Sequence, residues 1–335
     1  MGRDAYWDSL RGVSIIAVIW IHARSGSGYD DWNFPYWIIV RDLINFPVAL
    51  FLFISAYFVN TSRLDEPWVW IKGRITRLLI PFLVWSTLYG VILSASTTSI
   101  SLVEWVLRVS SGLTAPHLYF IVVLIQLTLL TPLIARAIGT RWIWAIYAIT
   151  PAYLLALYAF AFATGNLPPL YNYPFAAWIL FYVLGMHIRA KGLPKCFTPA
   201  VTVAFACFAL ALSVVESFGL LDVGMPDSFA SSQLKLSSVA YSVAIIALAV
   251  VWRRRLASSA MSRLGEESYG VYYAHLLWLF VINATVDVVV GGGTPRVLFA
   301  VQSIQVVGAL ILSLATVWMA RRIVGHKYAS RYLGF

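Results

Sequence analysis

Residues 142–163 read WIWAIYAITPAYLLALYAFAFA, 22 positions without one Asp, Glu, Lys or Arg. As a helix rising 1.5 Å per residue this stretch is about 33 Å long, enough to cross the roughly 30 Å of a bilayer's hydrocarbon. A spanning segment must satisfy its backbone groups within itself or in a closed barrel. The ten-residue polar and apolar alternation of a barrel is missing, so the segment is predicted to be a helix.

Working outward, the same reading recurs near residues 10–23, 36–59, 76–97, 117–138, 173–188, 199–219, 234–252, 268–290 and 297–320. The first run follows Arg3 and Arg11 as a signal peptide would, but its small-residue site at Ala23 to Ser25 is weak, and it reads as an uncleaved span. The expectation is an all-α, polytopic membrane protein with about ten transmembrane helices. No repeat, Pro-rich linker or low-complexity tract divides it, so a single domain over residues 1–335 is expected. Residues 99–111 are apolar and short enough for a helix lying on the interface, with Glu104 and Arg108 spaced for a surface ion pair.

Composition agrees. Of 335 residues 61% are hydrophobic and 11% charged, and the mean hydropathy is +0.81, which excludes a soluble globule because too little polar surface is left to face water. A net charge of +10 raises nucleic-acid binding, yet no basic helix or aromatic-interleaved basic stripe is present, and no nucleic-acid partner is expected. The charge belongs to loops instead. Counted alternately by side, nineteen of the 24 Lys and Arg fall with both termini and five (Arg24, Arg41, Arg108, Lys235 and Arg296) fall opposite, so both termini are predicted to be cytoplasmic. Most basic loops, Arg253-Arg254-Arg255 among them, read as anchors to anionic headgroups, which makes membrane lipids expected partners. Cys196 and Cys207 suit neither a disulfide framework nor a thiolate metal site, and no metal is expected. Gly291-Gly292-Gly293 reads as an outer turn, without the Lys-Ser or Lys-Thr of a phosphate loop.

Ionisable residues inside spans are costly, and they are the candidates for chemistry. His22 lies thirteen residues beyond Ser9, about 20 Å up the first span, where a neutral imidazole can accept a proton; the alternative is an interfacial histidine at a helix end. Asp42 and Asn45 come down to a similar depth in the second span and could orient that ring, while Arg41 beside Asp42 offers a local ion pair instead. His275 lies near the midplane of the ninth span and reads equally as a hydrogen-bonded structural residue. At the entry to the third span, Lys72-Gly73-Arg74-Ile75-Thr76-Arg77 puts Arg74 and Arg77 on one helix face, where two planar guanidinium groups can converge on a polyanion; headgroup anchoring is the alternative. Asp8 and Arg11, also three apart, could meet that third span.

Together these segments resemble the acyltransferase type 3 family of integral membrane O-acyltransferases. Arg3, Asp4, Asp8, Leu10, Arg11, Gly12 and His22 match its opening pattern, and Phe51-Leu52-Phe53-Ile54-Ser55-Ala56-Tyr57 matches an aromatic stretch in which Ala56 replaces the usual glycine. Arg74, Arg77 and Pro81 match its Arg-x-x-Arg entry, His117-Leu118-Tyr119-Phe120 its fourth-span start with Tyr119 for tryptophan, and Ser268, Tyr269, Tyr272 and His275 a later pattern. The resemblance implies a multi-pass protein of the bacterial inner membrane that transfers an acyl group, acetyl above all, from acyl-coenzyme A to a hydroxyl of a glycan, lipid-linked sugar or other envelope acceptor. No permanently bound cofactor is implied; acyl-coenzyme A is a co-substrate. Its phosphates would bind Arg74 and Arg77, with Arg11 and Lys72 nearby, and its thioester would run inward to His22. His22 would act either as general base for direct attack, which we favour, or as an acyl carrier. Tyr119 or Tyr272 could supply an oxyanion donor. The competing readings are a flippase or secondary transporter for a lipid-linked sugar, although its paired broken helices and repeated halves are not visible in the sequence, and a noncatalytic membrane scaffold or sensor.

Overall fold

The computed structural model describes residues 4–23, 34–96, 101–253, 258–290 and 299–335. The predicted outer turn at Gly291 to Gly293, and Arg3, Arg24, Arg254, Arg255 and Arg296, lie outside the described residues. The described chain is helical, with no strand. In order it forms α1 (Ala5–His22), α2 (Phe34–Leu43), α3 (Pro47–Tyr57), α4 (Pro67–Ser96), α5 (Leu102–Ser111), α6 (Tyr119–Ala137) and α7 (Trp142–Thr164). There follow α8 (Ile179–Lys191), α9 (Pro199–Asp222), α10 (Asp227–Ala230), α11 (Leu236–Val251), α12 (Ser259–Val290), α13 (Phe299–Val324) and α14 (His326–Tyr328).

Every predicted apolar segment contains a helix, and among the described residues seven are long and apolar enough to cross a bilayer. Length and apolarity alone do not carry the full expected ten: α1 has 18 residues, α8 has 13 and α11 has 16. The predicted second span is two helices. Residues 44–46 interrupt it, Pro47 opens α3 with no N–H to continue the ladder, and the Asn45 side-chain amide donates to the Ser231 carbonyl at 3.1 Å. The helix predicted over residues 99–111 is α5: Ser101 caps it by accepting from Glu104 N at 3.2 Å, Gly112 ends it at φ +74°, and Glu104 pairs with Arg108 at 2.7 Å.

Apolar side chains fill the interior and also cover the outside of the bundle. Large apolar side chains such as Phe208 (68% exposed) and Trp144 (70%) face outward, while Thr128, Thr131, Thr150, Ser213 and Ser217 are buried between helices. Without a hydrophobic drive between helices in lipid, close contact depends on small residues and interhelical hydrogen bonds. The α3–α8 contact is of this kind. A Cβ on Gly185 would fall 2.3 Å from the Phe53 carbonyl and 2.8 Å from the Ala56 methyl, so a glycine on α8 makes room for the alanine that α3 carries.

Two cores result. One gathers α3, α6 and α8 around Phe53, Leu127 and Tyr182; the other gathers α1, α4 and α12 around Ile15, Phe82 and Tyr273, and Phe120 packs against both. The site lies where they meet.

Candidate active site

The α1–α12 contact sets the geometry. A Cβ on Gly12 would fall 2.2 Å from the Met261 carbonyl, and one on Gly265 would fall 1.7 Å from the Asp8 carbonyl, so the two backbones touch. Ten residues beyond Gly12 is His22, and ten beyond Gly265 is His275. The helices run side by side in the same direction, which brings the imidazoles to 5.5 Å between ring centroids.

His117, just before α6, completes a cluster, 6.2 Å from His22 and 5.0 Å from His275 by centroids. Its ring is buried with both nitrogens unpartnered, and its carbonyl accepts the Tyr272 hydroxyl at 2.6 Å. His275 Nδ1 lies 2.7 Å from the Tyr272 carbonyl, which can only accept, so that nitrogen carries the proton. Its Nε2 is then a lone pair, buried and unpartnered. His22 makes no hydrogen bond to a described residue and opens onto a cavity. The three rings do not converge as ligands: among the described residues no three His, Cys, Asp or Glu could hold a metal ion.

That cavity has a volume of about 180 Å³ and is lined by His22, Arg41, His117, Tyr119, Tyr171 and Gln233, with Val18, Phe51, Phe120 and Tyr272 at its floor. A second cavity, of about 490 Å³, lies toward the start of α1 and is lined by Arg11, Arg74, Arg77, Ser55, Ser268, Tyr269 and again Phe51, Phe120 and Tyr272. Three aromatic side chains therefore stand between a histidine chamber and an arginine chamber. Ring contacts hold them together: Phe51 to Phe120 at 6.2 Å and Phe120 to Tyr272 at 5.7 Å.

The arginine chamber unites residues predicted separately. Arg74 and Arg77, one turn apart on α4, share it with Arg11. Asp8 is buried and fixes Arg11 at 2.6 Å; Arg74 donates to the Ser55 carbonyl at 3.3 Å and lies 5.4 Å from the Trp70 ring; Arg77 Nε donates to the Gly73 carbonyl at 3.1 Å. Lys72 departs from its expected place. It is exposed and does not line the chamber, because two residues before Arg74 on a helix is the opposite face.

Other expectations are also corrected. Asp42 and Asn45, the candidates to orient His22, bond elsewhere. Asp42 pairs with Lys235 at 2.8 Å, both fully buried; Ser217 donates to Asp42 at 2.7 Å and accepts from Lys235, which also donates to the Ser213 carbonyl at 3.0 Å. Arg41 does not pair with Asp42 either, because consecutive helical side chains point about 100° apart. Of the two oxyanion candidates, Tyr272 commits its hydroxyl to the His117 carbonyl, whereas Tyr119 faces the cavity. Sequence reading gave His117 only as part of a motif and Lys235 only as a loop charge. For His117 the available signal is its place at the mouth of a span, at the level of the end of α1.

A family model described as an acyltransferase domain matches residues 4–322, nearly the whole chain. No curated protein and no solved structure matches it.

Proposed function

Since the chain belongs to the acyltransferase family whose model covers residues 4–322, we propose that it transfers an acetyl group from acetyl-coenzyme A to a hydroxyl of a glycan, lipid-linked sugar or similar acceptor in the envelope of a bacterium. It does so from the inner membrane, with both termini and the arginine chamber on the cytoplasmic side. The observation that supports this reading is the pair of adjoining chambers, one lined by Arg11, Arg74 and Arg77 and one by His22 and His117, which share Phe51, Phe120 and Tyr272 as lining residues.

The donor's phosphates bind Arg74 and Arg77, with Arg11 beside them, and Arg suits phosphate through its planar fork. The uncharged pantetheine arm is slim enough to pass the three rings when they part. The thioester carbon then reaches the histidine chamber.

There His22 takes the acceptor's hydroxyl proton while the oxygen attacks the thioester carbon. The new C–O bond forms, the tetrahedral intermediate collapses, the C–S bond breaks, and the proton passes from His22 to the leaving thiolate. Ester and free coenzyme A thiol are the products. General-base help of this kind contributes about 10²- to 10⁴-fold. The lone pair on His275 Nε2 can accept the N–H of His22 and hold its other nitrogen toward the acceptor, a part for which the sequence offered Asp42 or Asn45. Tyr119, which lines the same chamber, donates to the oxyanion.

The test is transfer from radiolabelled acetyl-coenzyme A by purified protein. His22→Ala should abolish transfer with donor binding retained, and Arg74→Ala or Arg77→Ala should weaken donor binding. Normal turnover by His22→Ala would refute the assignment.

A further inference from the structure

The histidine chamber contains a charge that this chemistry does not use. Arg41 lines its wall from the last turn of α2, and one terminal guanidinium nitrogen is sealed from solvent with no hydrogen-bond partner. Asp42, the nearest carboxylate in sequence, is already bonded to Lys235 and Ser217. Among the described residues no Asp or Glu lines this chamber. Gln233, in the segment between α10 and α11, also presents a buried, unpartnered side-chain oxygen there.

A guanidinium is charged at every physiological pH, and burying one without a counter-charge is strongly unfavourable. Within a membrane protein such a residue marks a substrate pathway unless a partner neutralises it. Here the fold supplies a partner to each neighbouring charge and leaves Arg41 open to the cavity. At about 180 Å³ the chamber is smaller than the roughly 300–1,000 Å³ of drug-sized sites, so it takes one ring-sized group at a time, and a group seated against Arg41 is also near His22.

We propose that Arg41 is the recognition site for an anionic group on the acceptor, a carboxylate or a phosphate, so that the substrate is an acidic sugar or sugar phosphate. This rests on the histidine chamber being where the acceptor binds. In the complex the fork of Arg41 takes two oxygens of the anion, Gln233 accepts from a ring hydroxyl, and a neighbouring hydroxyl is presented to His22.

The experiment compares three probes on purified full-length protein: methyl glucuronoside, methyl glucoside, which has the same ring without the carboxylate, and glucose 1-phosphate. Direct binding is measured for wild type, Arg41→Met and Arg41→Lys, and donor binding is measured in parallel. Wild type should bind at least one anionic probe about 10- to 100-fold more tightly than methyl glucoside. Arg41→Met should erase that preference with donor affinity unchanged, and Arg41→Lys should restore part of it. Which anionic probe wins separates carboxylate from phosphate. Equal binding of all three by wild type, or a preference surviving in Arg41→Met, would overturn the proposal, and the wild-type comparison decides even if the variants fail to fold. These outcomes do not depend on turnover. A protein that binds the anionic probe through Arg41 but neither binds nor consumes acetyl-coenzyme A would sink the transfer reading alone.

Discussion

His22 and His275 stand at the same distance, ten residues, beyond Gly12 and Gly265, two glycines whose backbones touch. The spacing of the two rings is thus set about 15 Å away from them, at a contact that admits no side chain. We predict that Gly265→Val separates α1 from α12, with transfer lost and a melting temperature well below wild type in detergent. Overpacking costs about 1–3 kcal/mol, and a rigid carbonyl 1.7 Å away puts this site at the upper end. Gly219, in α9 with open space around it, is the control: Gly219→Ala should be neutral or stabilise by about 0.5–1 kcal/mol. If both variants melt alike, backbone contact is not what holds the pair.

The His275 lone pair leads to a second prediction. His275→Ala should lower kcat by about 10- to 100-fold without changing donor affinity, because on the proposed mechanism His22 loses the acceptor for its N–H but keeps its cavity. An unaltered kcat, measured by release of coenzyme A thiol at saturating donor and acceptor, would return His275 to a structural role.

The aromatic partition can be dissected at Tyr272. Tyr272→Phe removes one hydrogen bond to the His117 carbonyl, a loss of about 1 kcal/mol, and should leave the transfer-to-hydrolysis ratio near wild type. Tyr272→Ala joins the two chambers and should raise hydrolysis of acetyl-coenzyme A by water relative to transfer. Comparing free acetate with acylated acceptor reads this directly, and an unchanged ratio in Tyr272→Ala would show that the ring does not divide the path.

The Asp42–Lys235 pair should behave as a buried ion pair with no part in the chemistry. Either Asp42→Leu or Lys235→Met leaves one charge buried alone, at a cost of about 3–5 kcal/mol, while the double replacement should be less destabilised than either single change. Thermal unfolding of the four proteins measures the coupling. Additive losses would mean that the two groups do not depend on each other.

The apolar blocks were legible because bilayer thickness fixes the length of a crossing segment. The break before Pro47 was less so: residues 36–59 read as one run, although Pro47 has no N–H to continue the ladder, and at the break the Asn45 side chain bonds to Ser231, 186 positions away. His22, Arg74 and Arg77 stood out as charges or bases at span positions where they are costly. Their grouping into two chambers depends on how helices distant in sequence pack, and the sequence hinted at that only through glycines in the right register. Arg41 and Asp42 show a different failure, for adjacency suggested a pair where helical geometry sends the two side chains to different neighbours.

Phe51, Phe120 and Tyr272 also bear on bioenergetics. Where water fills the chambers on either side, the membrane voltage drops almost wholly across this thin layer, and each unit charge moved through it would exchange about 2.3 kcal/mol per 100 mV. On the proposed path only the neutral arm and acyl group of the donor would cross it, while the phosphates stay behind. Acylation by this enzyme should therefore neither draw on the proton-motive force nor slow when a cell becomes de-energised.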